Sequence, residues 1–206
     1  MILALDTATR YCSVALEVGS KLYQSSDSSQ NGHAQKLMPM IDQLLEQADA
    51  SIQDVTTIVV SLGPGSFTGL RIGIATALGL SSALDIPCYG VSSLRARSYL
   101  DAETVCPIMD ARRDRIYGAC YGALTLDESN LAFEDFLEEI KGFEVVFTGE
   151  DIGGFAERAG VPILPDINYA AGAIRAFREG HYRTDITPRY LRVSQAEAEA
   201  RGVPLP

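Results

Sequence analysis

The chain has 206 residues, 47% of them hydrophobic, and a formal net charge of −10 at pH 7. That length allows one large domain or two small lobes with ample apolar content for a core. A pI near 4.6 speaks against a chain that grips nucleic acid by itself, because phosphate neutralisation dominates such binding.

No apolar run is expected to reach the roughly 18 residues of a membrane span. The N-terminus, Met1 to Asp6, has neither a basic region nor a cleavage site, so no signal peptide is expected. Cys12, Cys88, Cys106 and Cys120 are scattered through strand-like runs without a C-x-x-C pair, which predicts buried free thiols and a cytoplasmic location.

Ile2 to Asp6 predicts a short apolar strand, Thr7 to Arg10 a turn, and Cys12 to Val18 the return. Gly19 and Ser20 turn the chain into a third strand, Lys21 to Ser26. Asp6, leaving a buried strand, either holds a metal-bound phosphate or a water, or caps the turn amides. After the polar loop to Gly32, His33 precedes a helix from Ala34 to Ala48. Leu37, Ile41, Leu44, Leu45 and Ala48 share one side of it, and Pro39 predicts a kink in its first turns.

A β-branched run from Val55 to Val60 leads into Ser61-Leu-Gly-Pro-Gly-Ser-Phe-Thr-Gly-Leu-Arg-Ile-Gly73, and an apolar segment of helical spacing continues to Leu84. The spacing predicts a strand, a glycine turn and a helix start, with Ser66 or Thr68 as N-cap. Such a junction can cradle a phosphate. The match to known phosphate loops is incomplete: no Gly-Lys-Ser/Thr follows, and Gly63 and Gly65 are followed by Gly69, which misses G-x-G-x-x-G by one residue. Gly69, Gly73, Ala77 and Ser81 recur every four residues and form a stripe with almost no side chain. Glycine inside a helix costs about 1 kcal/mol relative to alanine, so Gly69, Gly73 and Gly79 call for a packing reason. That reason is either close packing on this chain's own sheet or an interface with another chain.

Ile86 to Val91 predicts the next strand, with Ser92 capping a short helix from Ser93 to Leu100. The pattern then restarts. Val105 to Asp110 predicts a strand ending in an acid, Ala111 to Arg115 a charged turn, and Ile116 to Tyr121 and Ala123 to Leu126 two more strands. Helices are expected over Leu131 to Ile140, Ile152 to Ala159 and Tyr169 to Glu179, and strands over Phe143 to Thr148 and Val161 to Leu164. Each half thus reads β-β-β-α-β-α-β-α, with Asp110 standing where Asp6 stood, which predicts an α/β protein of two related lobes, 1–102 and 103–206. The stretch Thr187 to Arg192 is basic, aromatic and extended, and Ala196 to Ala200 reads as a frayed tail.

The duplicated order resembles the actin-like ATPase (ribonuclease H-like) superfold. Within it, Leu3-Ala-Leu-Asp-Thr-Ala-Thr9, the Gly63 to Gly73 signature, Asp110-Ala-Arg-Arg113 followed by Tyr117, and Pro188-Arg-Tyr-Leu-Arg192 resemble the bacterial TsaB (YeaZ) family. The resemblance implies a non-catalytic subunit in the synthesis of threonylcarbamoyladenosine in tRNA. It implies pairing with the catalytic paralogue TsaD and with the ATPase TsaE, contact with tRNA through the complex, and a homodimer when alone. ATP and Mg are implied for the complex and not for this chain alone.

The family's pairing surface is built from the first two helices. Transferred to this sequence, that surface includes Leu37, Ile41, Leu44, Leu45, Gly69, Gly73, Thr76, Ala77 and Leu80, and Gly73→Leu is expected to block pairing while sparing the fold. The paralogue's metal-binding histidines are replaced here by Ser92 and Ser93, which cannot hold a transition metal. Asp6, Thr7, Asp110 and Gly149 stand where the superfold places nucleotide contacts, so an ATP-using enzyme is the alternative. A peptidase would need a metal or a nucleophile–base pair, and no such set stands out in the sequence.

Overall fold

The computed structural model describes residues 1–28, 32–165 and 168–191; Arg192 and the tail Ala196 to Ala200 lie outside them. The chain opens as a meander of β1 (Ile2–Asp6), β2 (Cys12–Val18) and β3 (Lys21–Asp27), paired antiparallel with Leu3 opposite Leu16 and Leu16 opposite Tyr23. α1 (His33–Gln47), which continues through Pro39, leads to β4 (Thr57–Ser61). α2 (Phe67–Leu84) leads to β5 (Cys88–Val91). β4 lies parallel between β1 and β5, giving the order β3-β2-β1-β4-β5.

The pleat sorts the strand residues onto two faces. Leu3, Leu5, Val14, Leu16, Ile58 and Val60 pack beneath α1 and α2. Ile2, Ala4, Ala15, Val59 and Val91 face the other way, so β1 is buried on both sides. α3 (Ser93–Arg97), capped by Ser92, helps cover that second face.

The second lobe repeats the plan with β6 (Thr104–Arg112), β7 (Arg115–Gly122), β8 (Leu126–Ala132), α4 (Phe133–Ile140), β9 (Val146–Thr148) and α5 (Gly153–Ala159). Its order, β8-β7-β6-β9 with β6 and β9 parallel, mirrors β3-β2-β1-β4. Phe133, Phe136, Phe147, Ile152 and Ala156 form its core. The expected two-lobed actin-like architecture is the one observed.

Three details differ from expectation. β8 begins at Leu126 and not at Ala123, because Gly122 (φ +134°) and the residues after it form the turn. The strand expected over Val161 to Leu164 is reduced to one bridge, Ile163 with Phe147.

The third concerns α6 (Tyr169–Arg178), which packs on the first lobe. Its Ala170, Ala173, Ile174 and Ala176 bury against Ile2, Ala4 and Val59, where small side chains let helix and sheet approach closely. Asn168 caps α6 by accepting from the Ala171 N–H (3.0 Å) and donates to the Ser25 carbonyl of β3 (2.9 Å). Further on, Arg183 bridges to Gly90 on β5, and the Arg189 N–H donates to the Leu62 carbonyl (2.7 Å). The division at residue 102 therefore separates the sheets but not the chain: residues 168–190 return to complete the first lobe.

Candidate functional site

The glycine junction after β4 is folded onto the turn between β1 and β2. Gly63 and Ser93 exchange hydrogen bonds, Gly63 N–H to Ser93 Oγ (3.2 Å) and Ser93 N–H to the Gly63 carbonyl (2.9 Å). The Ser66 N–H donates to the Ala8 carbonyl (2.6 Å), the Gly69 N–H to Ser66 Oγ (3.2 Å), and Thr7 Oγ1 donates to the Gly69 carbonyl (2.7 Å). A Cβ at Gly69 would overlap the Thr7 carbonyl oxygen, and one at Gly73 would overlap Thr7 Oγ1. Gly69, Gly73 and Ala77 are buried. The stripe is therefore an internal contact, which corrects the expectation that these residues face a partner. Gly73→Leu would drive a side chain into Thr7. The amides of Ser66 and Gly69 already have acceptors within the chain.

Between the lobes lies a cleft of about 790 Å³, lined by the β1–β2 turn and the start of α2 on one side and by Asp110, Tyr117 and Glu150 on the other. Asp6 is fully buried: one oxygen accepts from the Ala8 N–H (3.1 Å), and the other lies 3.7 Å from Nη1 of Arg97, itself fully buried. Arg97 also donates to the Ser93 carbonyl and lies 3.6 Å over the Tyr169 ring. Across the cleft, Asp110 accepts from the Arg112 N–H (2.7 Å) and pairs with its side chain (3.3 Å). Glu150 accepts from the Thr9 hydroxyl, and Arg10 reaches Glu150 (3.7 Å) and Asp151 (2.8 Å), tying the two turns together. His33 Nε2 lies 2.9 Å from the Thr9 carbonyl oxygen, to which it donates. At Gly149 (φ +147°) a Cβ would overlap the Ile108 carbonyl, so that residue serves a close backbone approach.

Of Asp6, Thr7, Asp110 and Gly149 only Asp110 lines the cleft; Asp6 and Thr7 are buried behind Ala8, Gly149 precedes the lining residue Glu150, and their chemistry does not fit a metal–triphosphate. Asp6 is matched by an internal guanidinium, the Ser66 and Gly69 amides are engaged, and Glu150 and Asp151, paired with Arg10, line the opposite wall. Among the described residues no group of three or more His, Cys, Asp or Glu side chains could hold a metal ion.

α1 and α2 present a second surface. Leu37, Ile41, Leu44 and Leu45 are buried in the first lobe's core, so they too are removed from the expected partner surface. Their spacing marked the inward face of α1, and the outward face carries Met38, 40% exposed. α2 faces outward with Ala75, Leu78 (43% exposed), Gly79, Ser82 and Ala83, flanked by half-buried Ile72, Thr76 and Leu80. Ala75, Gly79 and Ala83 are four apart and form one ridge. Nothing among the described residues lies within 4 Å of a Cβ built at Gly79, so this glycine has no packing reason among them.

The 18 residues of α2 have a mean hydropathy of 1.3, and only 28% of them are buried. By length and composition that is enough to cross a membrane, contrary to expectation, although its inner face, including Leu70 and Ile74, is built into the core. Its sole charged side chain, Arg71, stacks over Phe67 at 3.8 Å, and Phe67 stacks in turn on Tyr190 at 4.7 Å. Sequence reasoning missed Arg97 and this outward ridge. The signal for Arg97 was an acid at the end of an otherwise fully apolar strand. The ridge had the same four-residue spacing as the stripe that was chosen.

The model of the family described as "TsaD: tRNA N6-adenosine threonylcarbamoyltransferase" matches residues 25–141. The Bacillus subtilis (strain 168) protein named "tRNA threonylcarbamoyladenosine biosynthesis protein TsaB" is 30% identical over 227 residues, covering 96% of each chain. The Escherichia coli (strain K12) protein of the same name is 37% identical over 125 residues, which are 58% of this chain and 54% of that one. With the Haemophilus influenzae relative, 36% identical, the match likewise spans about half of that protein's length (51%). A Pseudomonas aeruginosa crystal structure, described as an uncharacterized protein with similarity to peptidase YEAZ, superposes with a TM-score of 0.77 at 29% identity, covering 93% of this chain and 99% of that one. The lobes, the junction on the β1–β2 turn and this near full-length likeness agree: the chain belongs to the TsaB (YeaZ) family, a paralogue of TsaD within the actin-like ATPase superfold.

Proposed function

We propose that this chain is the non-catalytic scaffold subunit of a cytoplasmic complex that makes threonylcarbamoyladenosine in tRNA, and that it pairs with a TsaD-type catalytic subunit through the outward face of α1 and α2. One observation carries the pairing: an 18-residue helix with a single charge and a mean hydropathy of 1.3 has only 28% of its residues buried. Large apolar faces seldom stay exposed in solution. The ridge Ala75–Gly79–Ala83 would let a partner helix come close, with Met38, Ile72, Leu78 and Leu80 packing around it, as small residues permit between helices. The same face would pair two copies of this chain when the catalytic partner is absent. TsaE and tRNA join through the complex, which uses ATP and Mg. The ATP-using alternative is disfavoured by the Asp6–Arg97 pair, which matches the first-strand carboxylate inside the chain.

The test is sedimentation velocity on the chain alone and mixed with the TsaD paralogue of the same organism, using wild type and Gly79→Leu. Wild type should give a self-associated species that yields to a one-to-one heterodimer. Gly79→Leu should keep its thermal stability and lose both associations. A variant that still pairs like wild type would refute this face as the docking surface.

A further inference from the structure

On the sheet face opposite α1 and α2, the far ends of α3 and α6 leave a cavity of about 510 Å³ against β7. Its wall carries an unusual arrangement for so acidic a chain. The Tyr99 ring sits between two guanidiniums, with Arg95 Cζ 5.3 Å and Arg175 Cζ 4.9 Å from its centroid. Arg95 also lies 4.7 Å from the Tyr121 ring. Aromatic faces fix a guanidinium in place while leaving its N–H groups free to donate.

Among the described residues Arg95 Nε is buried without a hydrogen-bond partner, whereas the Tyr99 hydroxyl interacts with Arg95 and Glu179. Arg175 makes one long hydrogen bond, 3.5 Å to the Tyr99 carbonyl, and pairs with no carboxylate among the described residues. Arg95 donates to His181 Nε2 (2.6 Å) and lies 3.6 Å from Glu179. Buried donors left without acceptors are rare in native folds and mark a place where a ligand or water completes the set.

We propose that this cavity is a phosphate-binding site. Arg95 and Arg175 would clamp the oxyanion, since guanidinium forks match phosphate oxygens in geometry and charge. Glu179, 47% exposed, is the internal competitor: it neutralises Arg95 in the empty site and swings to solvent when phosphate enters. The phosphate comes either from a small molecule or from the backbone of an RNA strand.

The neighbouring surface separates the two. Tyr89, Phe177 and Tyr182 cluster with centroids 4.8–5.1 Å apart, and Tyr182 is 43% exposed beside His181. A strand held by its phosphate in the cavity would lay a base on Tyr182, whereas a free phosphate would ignore it.

The experiment titrates the full chain with inorganic phosphate and, separately, with a short oligouridylate, following binding by calorimetry. Saturable binding of phosphate is expected, weakened about tenfold or more by Arg175→Ala, as for loss of a hydrogen bond to a charged group. Glu179→Gln should tighten it. Tyr182→Ala should weaken the oligonucleotide alone if RNA is the source; equal affinities in that variant assign the site to small phosphates. Thermal melts confirm that each variant is folded, and pairing through α1 and α2 should be unchanged in Arg175→Ala. Absence of saturable binding, or affinities unmoved by both Arg175→Ala and Glu179→Gln, would overturn the proposal.

Discussion

Replacing Arg97 by methionine tests whether the Asp6–Arg97 pair holds the centre of this molecule together. Both side chains are fully buried, so neither charge is screened by water, and their closest approach is 3.7 Å. Methionine retains much of the volume but removes the cation. Asp6 keeps the Ala8 N–H and loses its counter-charge, the Ser93 carbonyl loses a donor, and Tyr169 loses the guanidinium stacked on it. These losses overlap and are not summed. Removing one partner of a buried pair costs about 3–5 kcal/mol, because the remaining charge is stranded. At roughly 2–4 °C per kcal/mol for a chain of this size, the melting temperature should fall by about 10 °C. Asp6→Asn combined with Arg97→Met should recover much of the loss, since no charge is left unmatched. Urea denaturation of wild type, both single variants and the double gives the coupling energy, expected at about 2 kcal/mol or more. A single variant within about 1 kcal/mol of wild type, or a double as unstable as the sum of the singles, would refute the reasoning.

Two further predictions use positions where opposite outcomes are expected from similar chemistry. In α2, Gly73→Ala should destabilise by about 1–3 kcal/mol through its collision with Thr7 Oγ1. Gly79→Ala, in open space on the same helix, should stabilise by about 1 kcal/mol. Thermal melts of the two settle it, and the same sign for both would show that the inner and outer rows are misassigned. Burial pushes the thiols of Cys12 and Cys88 up from 9.0 to about 11, with Asp6 adding to the shift at Cys12. The fold favours the protonated thiol, so that stabilisation is complete below about pH 9 and is lost as pH rises towards 11. Unfolding free energies should fall across this window, and the Cys12→Ala/Cys88→Ala double variant should show a shallower fall; parallel curves would contradict it.

The order of elements was legible because periodicity and turn residues agree along most of the chain. The apolar side of α1 is clear from Leu37, Ile41, Leu44 and Leu45, but an apolar face declares burial without saying by what, and here the cover is this chain's own sheet and not a partner. α2 was harder. It is apolar or small nearly all round, so periodicity gave no orientation, and two rows of small residues share the four-residue spacing. What selects the inner row is the contact with Thr7 and its hydrogen bond to Gly69, a tertiary fact. α6 was legible as a helix, but nothing in its pattern says which of two similar sheets it covers. Arg97 was illegible for the opposite reason: arginines in short helices are ordinarily solvent-exposed, and its burial is required only by Asp6, more than ninety residues earlier in the chain.

The return of α6 to the first lobe also sets a timetable for synthesis. The first sheet is complete once β5 has emerged at Val91, but the face of Ile2, Ala4 and Val59 waits for residues 169–178. At ribosomal speeds of about 5–20 residues per second, that interval is roughly 4–17 s. Throughout it the second lobe can assemble from its own contiguous sequence, while the older lobe carries an uncovered apolar sheet. The half made first is therefore finished last, and a chain stopped between α5 and α6 leaves the ribosome with a complete second sheet and a first sheet whose face of Ile2, Ala4 and Val59 lacks its helix.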